Sequence, residues 1–214
     1  FKGQGIYCIQ KAEGNALWLA NWGVGVLRFN TATEKPEALY SDPLLGLPNT
    51  IYGLYDGLLW IGTQNNGIIL LDPSKGVTSQ LTERDGLPHY NIKSIVADAN
   101  DQLWITTSGG GIARCAKQNF RQYTRADGLA NNRIYAVHVT PDQKIWIATG
   151  NNGIQRLDST GLLSLRMEGF LEGAKCKSIA IDTLGRLWIG TEGRGIIVID
   201  SGEIHQLRMK DGLP

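Results

Sequence analysis

Tryptophan recurs along this sequence at a nearly constant spacing. Successive members of the series are 42, 44, 42 and 42 residues apart, and a glycine follows each of them seven residues later. The tryptophans are Trp18, Trp60, Trp104, Trp146 and Trp188, and the glycines are Gly25, Gly67, Gly111, Gly153 and Gly195. A repeat of this length is typical of folds in which one supersecondary unit is stacked several times. We therefore expect five similar units.

Each unit is predicted to be a meander of four short strands. In the third repeat, strand-forming residues at 92–98, 103–107, 111–116 and 120–125 alternate with turn residues. A lone meander cannot cover both of its faces, and the radial stack that does so is the β-propeller. We predict an all-β fold with five four-stranded antiparallel blades, either a closed ring or an arc of a larger, for example seven-bladed, propeller. The single domain spans 1–214, with repeats at about 1–48, 49–88, 89–130, 131–173 and 174–214.

Strand alternation indicates what the recurring residues do. Each tryptophan shares a sheet face with the small residue two positions later, and a wide indole beside a small residue suits packing against a neighbouring blade. The tryptophans are therefore assigned to the core between blades. The recurring glycine is expected to have a positive φ or to lie in a bulge. Asp72, Asp158 and Asp200 are interpreted as turn formers, and Asp56 with Gly57 predicts a two-residue turn of the primed type.

Composition argues against several partners. With 21 basic and 20 acidic residues the net charge is +1, which gives no field to attract nucleic acid or an anionic membrane. No apolar run is long enough for a membrane span, so this segment is expected to make no direct membrane contact. Cys8, Cys115 and Cys176 lack metal or redox spacing and are expected to be small core residues.

Catalytic motifs are also missing from the sequence. His89, His138 and His205 show no metal-ligand spacing, and no nucleophile or phosphate-binding motif is present. We therefore predict no catalytic residue, no metal and no cofactor. A site assembled from separate blades would escape a local motif search, so a propeller lyase or glycosidase stays an alternative.

Several short motifs resemble the two-component regulator propeller repeat. They are Leu-Trp-Ile-Gly-Thr at 59–63, Asp-Gly-Leu-Pro at 85–88, and Ile-x-x-Ile-x-x-Asp-x-x-Gly-x-Leu-Trp, whose later part is found at 179–188. The resemblance spans five copies. It implies the periplasmic part of a membrane-anchored bacterial receptor with a cytoplasmic histidine kinase or diguanylate cyclase. Because Asp211 to Pro214 repeats a motif that elsewhere precedes a strand, the chain is expected to continue in a longer parent protein.

Candidate ligand-binding residues come from two sets. Loops and connectors on one rim supply amides and aromatic rings, from which we select Trp22, His89, Tyr90, Asn152 and Arg194. The second position of each innermost strand supplies Tyr7, Tyr52, Lys93, Tyr135 and Lys177. These groups could bind hydroxyls or an anion. The alternative is that the loop amides only form turns, the tyrosines pack between blades and the lysines extend to water.

These observations favour a non-catalytic sensory module that binds a small polar ligand such as an oligosaccharide. Adjoining domains of the same receptor are further expected partners, and a homodimer is possible. Besides the propeller enzyme, a purely structural interaction scaffold is the other alternative, favoured if the first and last blades leave open edges.

Overall fold

The computed structural model of the protein describes residues 5–116, 119–165, 170–171 and 173–213, without the side chain of Leu54. Across these residues, twenty strands form five four-stranded antiparallel sheets, and the remaining regular structure consists of short 3-10 turns. The predicted all-β fold with five four-stranded blades is confirmed. No helix among the described residues is long and apolar enough to cross a membrane.

Residues 1–95 and 96–214 form two compact units. The first unit contains two complete blades. Blade 1 consists of β1 (Ile6–Lys11), β2 (Ala16–Asn21), β3 (Gly25–Asn30) and β4 (Lys35–Tyr40). Blade 2 consists of β5 (Pro48–Tyr55), β6 (Leu58–Thr63), β7 (Ile68–Asp72) and β8 (Gly76–Leu81).

The boundary between the units falls within the first strand of blade 3. This blade consists of β9 (Ile92–Ala97), β10 (Leu103–Thr107), β11 (Ile112–Ala116) and β12 (Asn119–Tyr123). Blade 4 consists of β13 (Ile134–Val139), β14 (Ile145–Thr149), β15 (Ile154–Asp158) and β16 (Gly161–Ser164). Blade 5 consists of β17 (Cys176–Ile181), β18 (Leu187–Thr191), β19 (Ile196–Asp200) and β20 (Glu203–Leu207).

Strands follow one another in sequence order within every sheet. In the first unit β1 packs against β5, and in the second unit β13 packs against β17. The first strands of neighbouring blades therefore meet, and each blade runs from an innermost first strand to an outermost fourth strand.

Neighbouring blades share hydrophobic clusters in which the second-strand tryptophan of one blade meets aliphatic side chains of the next. In the first unit, Trp18 and Ala20 pack with Ile51, Ile61 and Leu71. In the second unit, Trp104 belongs to one cluster of this kind. Trp146 lies at the edge of another. Trp60 is 1% exposed. The assignment to the core is confirmed for Trp18, Trp60 and Trp104, whereas Trp146 and Trp188 are only half-buried.

A hairpin aspartate orients the tryptophan in two blades. The indole Nε1 of Trp104 donates to Asp98 at 3.1 Å, and that of Trp188 donates to Asp182 at 2.9 Å. The other carboxylate oxygen of each aspartate accepts backbone N–H groups of the same turn. This contact explains why the repeat motif places an aspartate six residues before the tryptophan.

The other turn predictions are confirmed as well. Asp72 and Asp158 accept backbone and hydroxyl hydrogen bonds within their turns. Asp56 and Gly57 have φ values of 53° and 79°, as a primed two-residue turn requires. None of the three cysteines is in a disulfide; Cys115 and Cys176 are buried and Cys8 is half-buried. Glu168-Gly169, where the other repeats have Gly-Leu or Asp-Gly before the next blade, lies outside the described residues.

The recurring glycine has a positive φ in all five blades, as predicted. At Gly111 a Cβ would also lie 2.2 Å from the backbone oxygen of Tyr123, whereas at Gly153 the nearest atom would be a side-chain carbon of Leu171 at 3.3 Å. Glycine is therefore required at Gly111 by its positive φ and by the nearby backbone, and at Gly153 mainly by its positive φ.

Alanine at these two positions separates the two restrictions. We expect Gly153→Ala to lower the free energy of unfolding by about 1–2 kcal/mol, the usual cost of a side chain in the left-handed region. Gly111→Ala is expected to cost at least about 1 kcal/mol more, because backbone must also move. Urea denaturation of both variants measures the difference. Equal losses would show that the contact with Tyr123 is relieved without cost.

Candidate ligand-binding site

The innermost strands of four blades carry a β-bulge near their start. In each of them one residue has no partner on the second strand, while its two neighbours pair with consecutive residues there. The extra residues are Tyr7, Asn49, Tyr135 and Lys177. A bulge changes the direction of the side chain it carries. The backbone therefore gives these side chains a position apart from the two regular faces of the sheet.

Tyr52 does not share this position, so its alignment with Tyr7 is wrong. Tyr52 pairs with Trp60, in the way that Gln10 pairs with Trp18 and His138 with Trp146. Asn49 lies eleven residues before Trp60, the same spacing that separates Tyr7, Tyr135 and Lys177 from their tryptophans, and strand pairing places it in the bulge. Lys93 lies on β9 and is half-buried.

In the first unit, the bulge residue Tyr7 forms an aromatic pair with Trp22. The two ring centroids are 3.8 Å apart and the planes differ by 10°. The indole Nε1 of Trp22 donates to the carbonyl of Pro48 at 3.0 Å, which anchors this ring to blade 2. Tyr7 remains 50% exposed. The pair thus presents a stacked aromatic surface to solvent, a shape suited to the apolar face of a sugar ring.

In the second unit, two bulge residues of neighbouring blades meet. Lys177 Nζ lies 3.9 Å from the ring centroid of Tyr135 and 2.7 Å from a carboxylate oxygen of Glu192. Lys175 Nζ lies 2.9 Å from the other oxygen of Glu192. All three charged side chains are about half exposed. Two ammonium groups share one carboxylate, so the cluster carries a net positive charge that a ligand can reach.

The pKa values in this cluster follow from these contacts. The hydrogen bond from Lys177, and then that from Lys175, lower the pKa of Glu192 to about 2. Desolvation alone would lower the pKa of Lys177, but hydrogen bonds to Glu192 and Tyr135 outweigh it and raise the pKa. At neutral pH Glu192 and Lys177 are therefore both charged.

Both pairs have the same construction. Trp22 directly follows β2 and Glu192 directly follows β18, so each bulge residue contacts the first residue of the loop between second and third strands. The structure adds three residues to those predicted, namely Asn49, Lys175 and Glu192. Glu192 and Trp22 occupy the same place in the repeat, so repeat position alone could have identified Glu192. Selecting loop residues for amides and aromatic rings left this carboxylate out.

The remaining rim residues are held by other partners. In the first unit, the ring of His89 stacks on Tyr90 with centroids 4.2 Å apart, and its Nδ1 accepts the Asn91 N–H. In the second unit, Asn152 accepts a hydrogen bond from Asn131, and Arg194 donates to the carbonyl of Phe170. Loops and connectors therefore meet on this rim, and each unit has its own group of exposed polar and aromatic side chains.

The histidines are distributed over different strands. His138 lies on β13 beside Trp146, where burial lowers its pKa, and His205 lies on the outermost strand β20 near Glu203. Within the described ranges, no three His, Cys, Asp or Glu side chains form a group that could hold a metal ion. The rim groups described above provide hydrogen bonding, stacking and charge.

Comparison with known proteins gives the following matches. Residues 86–109 and 128–151 match the family model described as two component regulator propeller. No curated protein matches the chain. Of the solved structures, the extracellular domain of a putative one component system from B. thetaiotaomicron is 25% identical, with a TM-score of 0.77, and the match covers 94% of this chain and 27% of that one.

Two further structures share the fold. The extracellular domain of a putative hybrid two component system from B. thetaiotaomicron is 21% identical, with a TM-score of 0.83, over 98% of this chain and 30% of that one. Virginiamycin B lyase from Staphylococcus aureus is 20% identical, with a TM-score of 0.72, over 96% of this chain and 70% of that one. The chain spans less than a third of the length of the two B. thetaiotaomicron structures.

Substituting the two lysines tests the origin of the low Glu192 pKa. In Lys177→Met the pKa of Glu192 should rise from about 2 toward its usual value of 4.5, and in Lys175→Met it should rise less. Carboxyl ¹³C NMR titration measures both. Since the folded-state pKa is depressed, any stabilisation by this cluster is present above pH 4.5 and is lost as pH falls toward 2. A larger rise in Lys175→Met would contradict this order.

Proposed function

Because the chain carries two-component regulator propeller repeats and has the fold of extracellular domains of bacterial sensors, we propose that it is the sensory module of a signal-transduction receptor. Its place is the periplasm, and it binds a polar ligand such as an oligosaccharide without transforming it. The observation that carries the ligand-binding part is that in each unit a bulge side chain is exposed and is braced by the first residue of the adjacent loop, Tyr7 by Trp22 and Lys177 by Glu192.

The chemistry of the two groups supports such a ligand. The exposed ring of Tyr7 offers a stacking surface, while Lys177 and Lys175 offer donors that already share one carboxylate. A ligand with several hydroxyls can be bound by either group, through stacking in the first unit or through hydrogen bonds in the second. A residue in a bulge can be substituted without disturbing the blade, because the residues on either side of it make the pairs with the second strand. One scaffold can therefore acquire different ligand preferences.

In the whole receptor, ligand binding must change an equilibrium to produce a signal. We infer that the bound ligand favours one arrangement of the module relative to adjoining domains, and that an anchored segment transmits this change to a kinase or cyclase domain. The parent gene should therefore encode a membrane-spanning helix and one of these domains.

A second candidate is a lyase, because this chain covers 70% of virginiamycin B lyase at a TM-score of 0.72. A structure of a catalytically inactive form of that enzyme contains quinupristin. Incubating this protein with quinupristin and following the compound by mass spectrometry tests this candidate directly. Conversion of the compound would favour the enzyme over the sensor.

The ligand site can be tested by two substitutions and a matched control. A thermal-shift screen of oligosaccharides first identifies a binder, and calorimetry measures its affinity. We expect Tyr7→Ala to weaken binding at the group in the first unit, and Lys177→Ala to weaken binding at the group in the second unit, each at least about 10-fold, which corresponds to about 1.4 kcal/mol. The unfolding temperature without ligand should change little, because both side chains are about half exposed.

Lys144→Ala is the control. Lys144 has 41% of its side chain exposed and forms an ion pair of 2.6 Å with Asp142, which closely matches Lys177 and Glu192. It lies in the hairpin turn before β14, away from the loops that follow second strands. The Lys144→Ala variant should bind the oligosaccharide with the same affinity as the unmodified protein. Unchanged affinity in both test variants would remove the rim site.

A further inference from the structure

Two arginines lie directly opposite each other on the outer strands of blade 3. Arg114 of β11 and Arg121 of β12 are cross-strand partners, and Trp104 of β10 is the next partner in the same row. Trp104 packs with Val137 of blade 4, so the arginines lie at the outer margin of a contact between two blades. Like charges directly opposite on one sheet face repel each other, and an anion between them removes this repulsion.

Blades 1 and 4 show how an arginine in this place is neutralised. Arg28 and Arg156 correspond to Arg114, because each is the third-strand partner of the tryptophan in its blade. Arg28 forms an ion pair of 2.8 Å with Glu37, and Arg156 forms one of 2.9 Å with Asp158. Their partners on the fourth strand are uncharged. Each of these arginines therefore has a carboxylate within its own blade.

Blade 3 lacks that carboxylate. Asp158 follows Arg156 by two residues, and the residue in the same place after Arg114 is Ala116. Arg114 is half-buried and Arg121 is exposed. Among the residues that the structure describes, no carboxylate forms an ion pair with either arginine. The pair thus combines an added positive charge with the loss of the acid that balances it elsewhere.

The groups nearest to Arg121 do not balance this charge. Its guanidinium carbon lies 5.1 Å from the ring centroid of Tyr123, an uncharged partner. Hydrogen bonds from Thr124, and to a smaller extent the charge of Arg121, lower the pKa of Asp127. The Thr124 N–H and hydroxyl donate to this carboxylate at 2.8 and 3.0 Å, which holds it in its own turn. Both guanidinium groups therefore keep donors for a ligand.

We propose that Arg114 and Arg121 together bind one oxyanion group of a small ligand, namely a sulfate, phosphate or carboxylate. A guanidinium presents its donors as a planar fork that matches two oxygens of such a group. Because Arg114 is half-buried, its attraction to an anion is screened less by salt than that of a fully exposed side chain. This site is separate from the bulge residues and does not depend on the sensory function proposed above.

Thermal unfolding during a sulfate titration at constant ionic strength tests the site. The unfolding temperature should rise between about 0.1 and 20 mM sulfate and then level off, because a single site saturates. Exclusion of sulfate from the protein surface also stabilises, but without saturation. Phosphate and acetate titrations show which oxyanion is preferred, and galactose 6-sulfate compared with galactose shows whether a sugar can carry the group.

Three variants locate the response. Arg114→Gln should weaken the apparent affinity for sulfate at least about 10-fold, because one of the two charges is lost. Ala116→Asp should weaken it as much, because a carboxylate in the place of Asp158 neutralises Arg114 instead of the ligand. Arg156→Gln is the matched control, since this arginine already has an acid in its blade, and it should respond like the parent chain.

Circular dichroism checks that the variants are folded. Ala116→Asp also protects the test against an unfolded Arg114→Gln, because it adds an ion pair and should be at least as stable as the parent chain without sulfate. A saturable rise with sulfate, phosphate or acetate that both test variants weaken supports the site. No saturable rise in the parent chain, unchanged affinity in Ala116→Asp, or an equal loss in Arg156→Gln would overturn the proposal.

Discussion

The fold depends on the contact between an indole and the aliphatic face of the next blade. A four-stranded sheet has two faces, and in this chain one face carries tryptophan and small residues while the other carries isoleucine and leucine. Truncating a large, fully buried side chain such as Trp60 typically costs about 3–5 kcal/mol. Because each repeat contributes one half to the contact on either side, stability comes from the neighbours of a blade more than from the blade alone.

This construction separates the residues that maintain the fold from those that are free to vary. Tryptophan, the small residue after it and the positive-φ glycine meet neighbouring backbone or core, so substitutions there disturb packing. At their bulges, Tyr7 and Lys177 contact the first residue of the loop after the second strand, and both remain partly exposed. Tyrosine on tryptophan in one blade and lysine on glutamate in another are therefore accommodated by the same backbone.

Strand pairing also changes which side chains belong together. Tyr52 matched Tyr7 in the repeat pattern, yet its pairing with Trp60 places it in the tryptophan row and assigns the bulge to Asn49. The spacing to the tryptophan already distinguished the two residues, since Asn49 lies eleven residues before Trp60 and Tyr52 only eight, but the bulge itself is not visible in the alternation of apolar residues. Tyr135 and Lys177 both have the spacing of eleven residues, were matched correctly and are in contact.

The sequence by itself determined the number of blades, their strands and the burial of Trp18, Trp60 and Trp104. These features repeat with a constant period, and local alternation and turn residues decide them. Only the tertiary structure decided which loop and bulge side chains are in contact within each unit, the shared carboxylate of Glu192 and the partial exposure of Trp146 and Trp188. Those properties depend on which strands are paired and which sheet faces are covered, and residues far apart in the chain decide both.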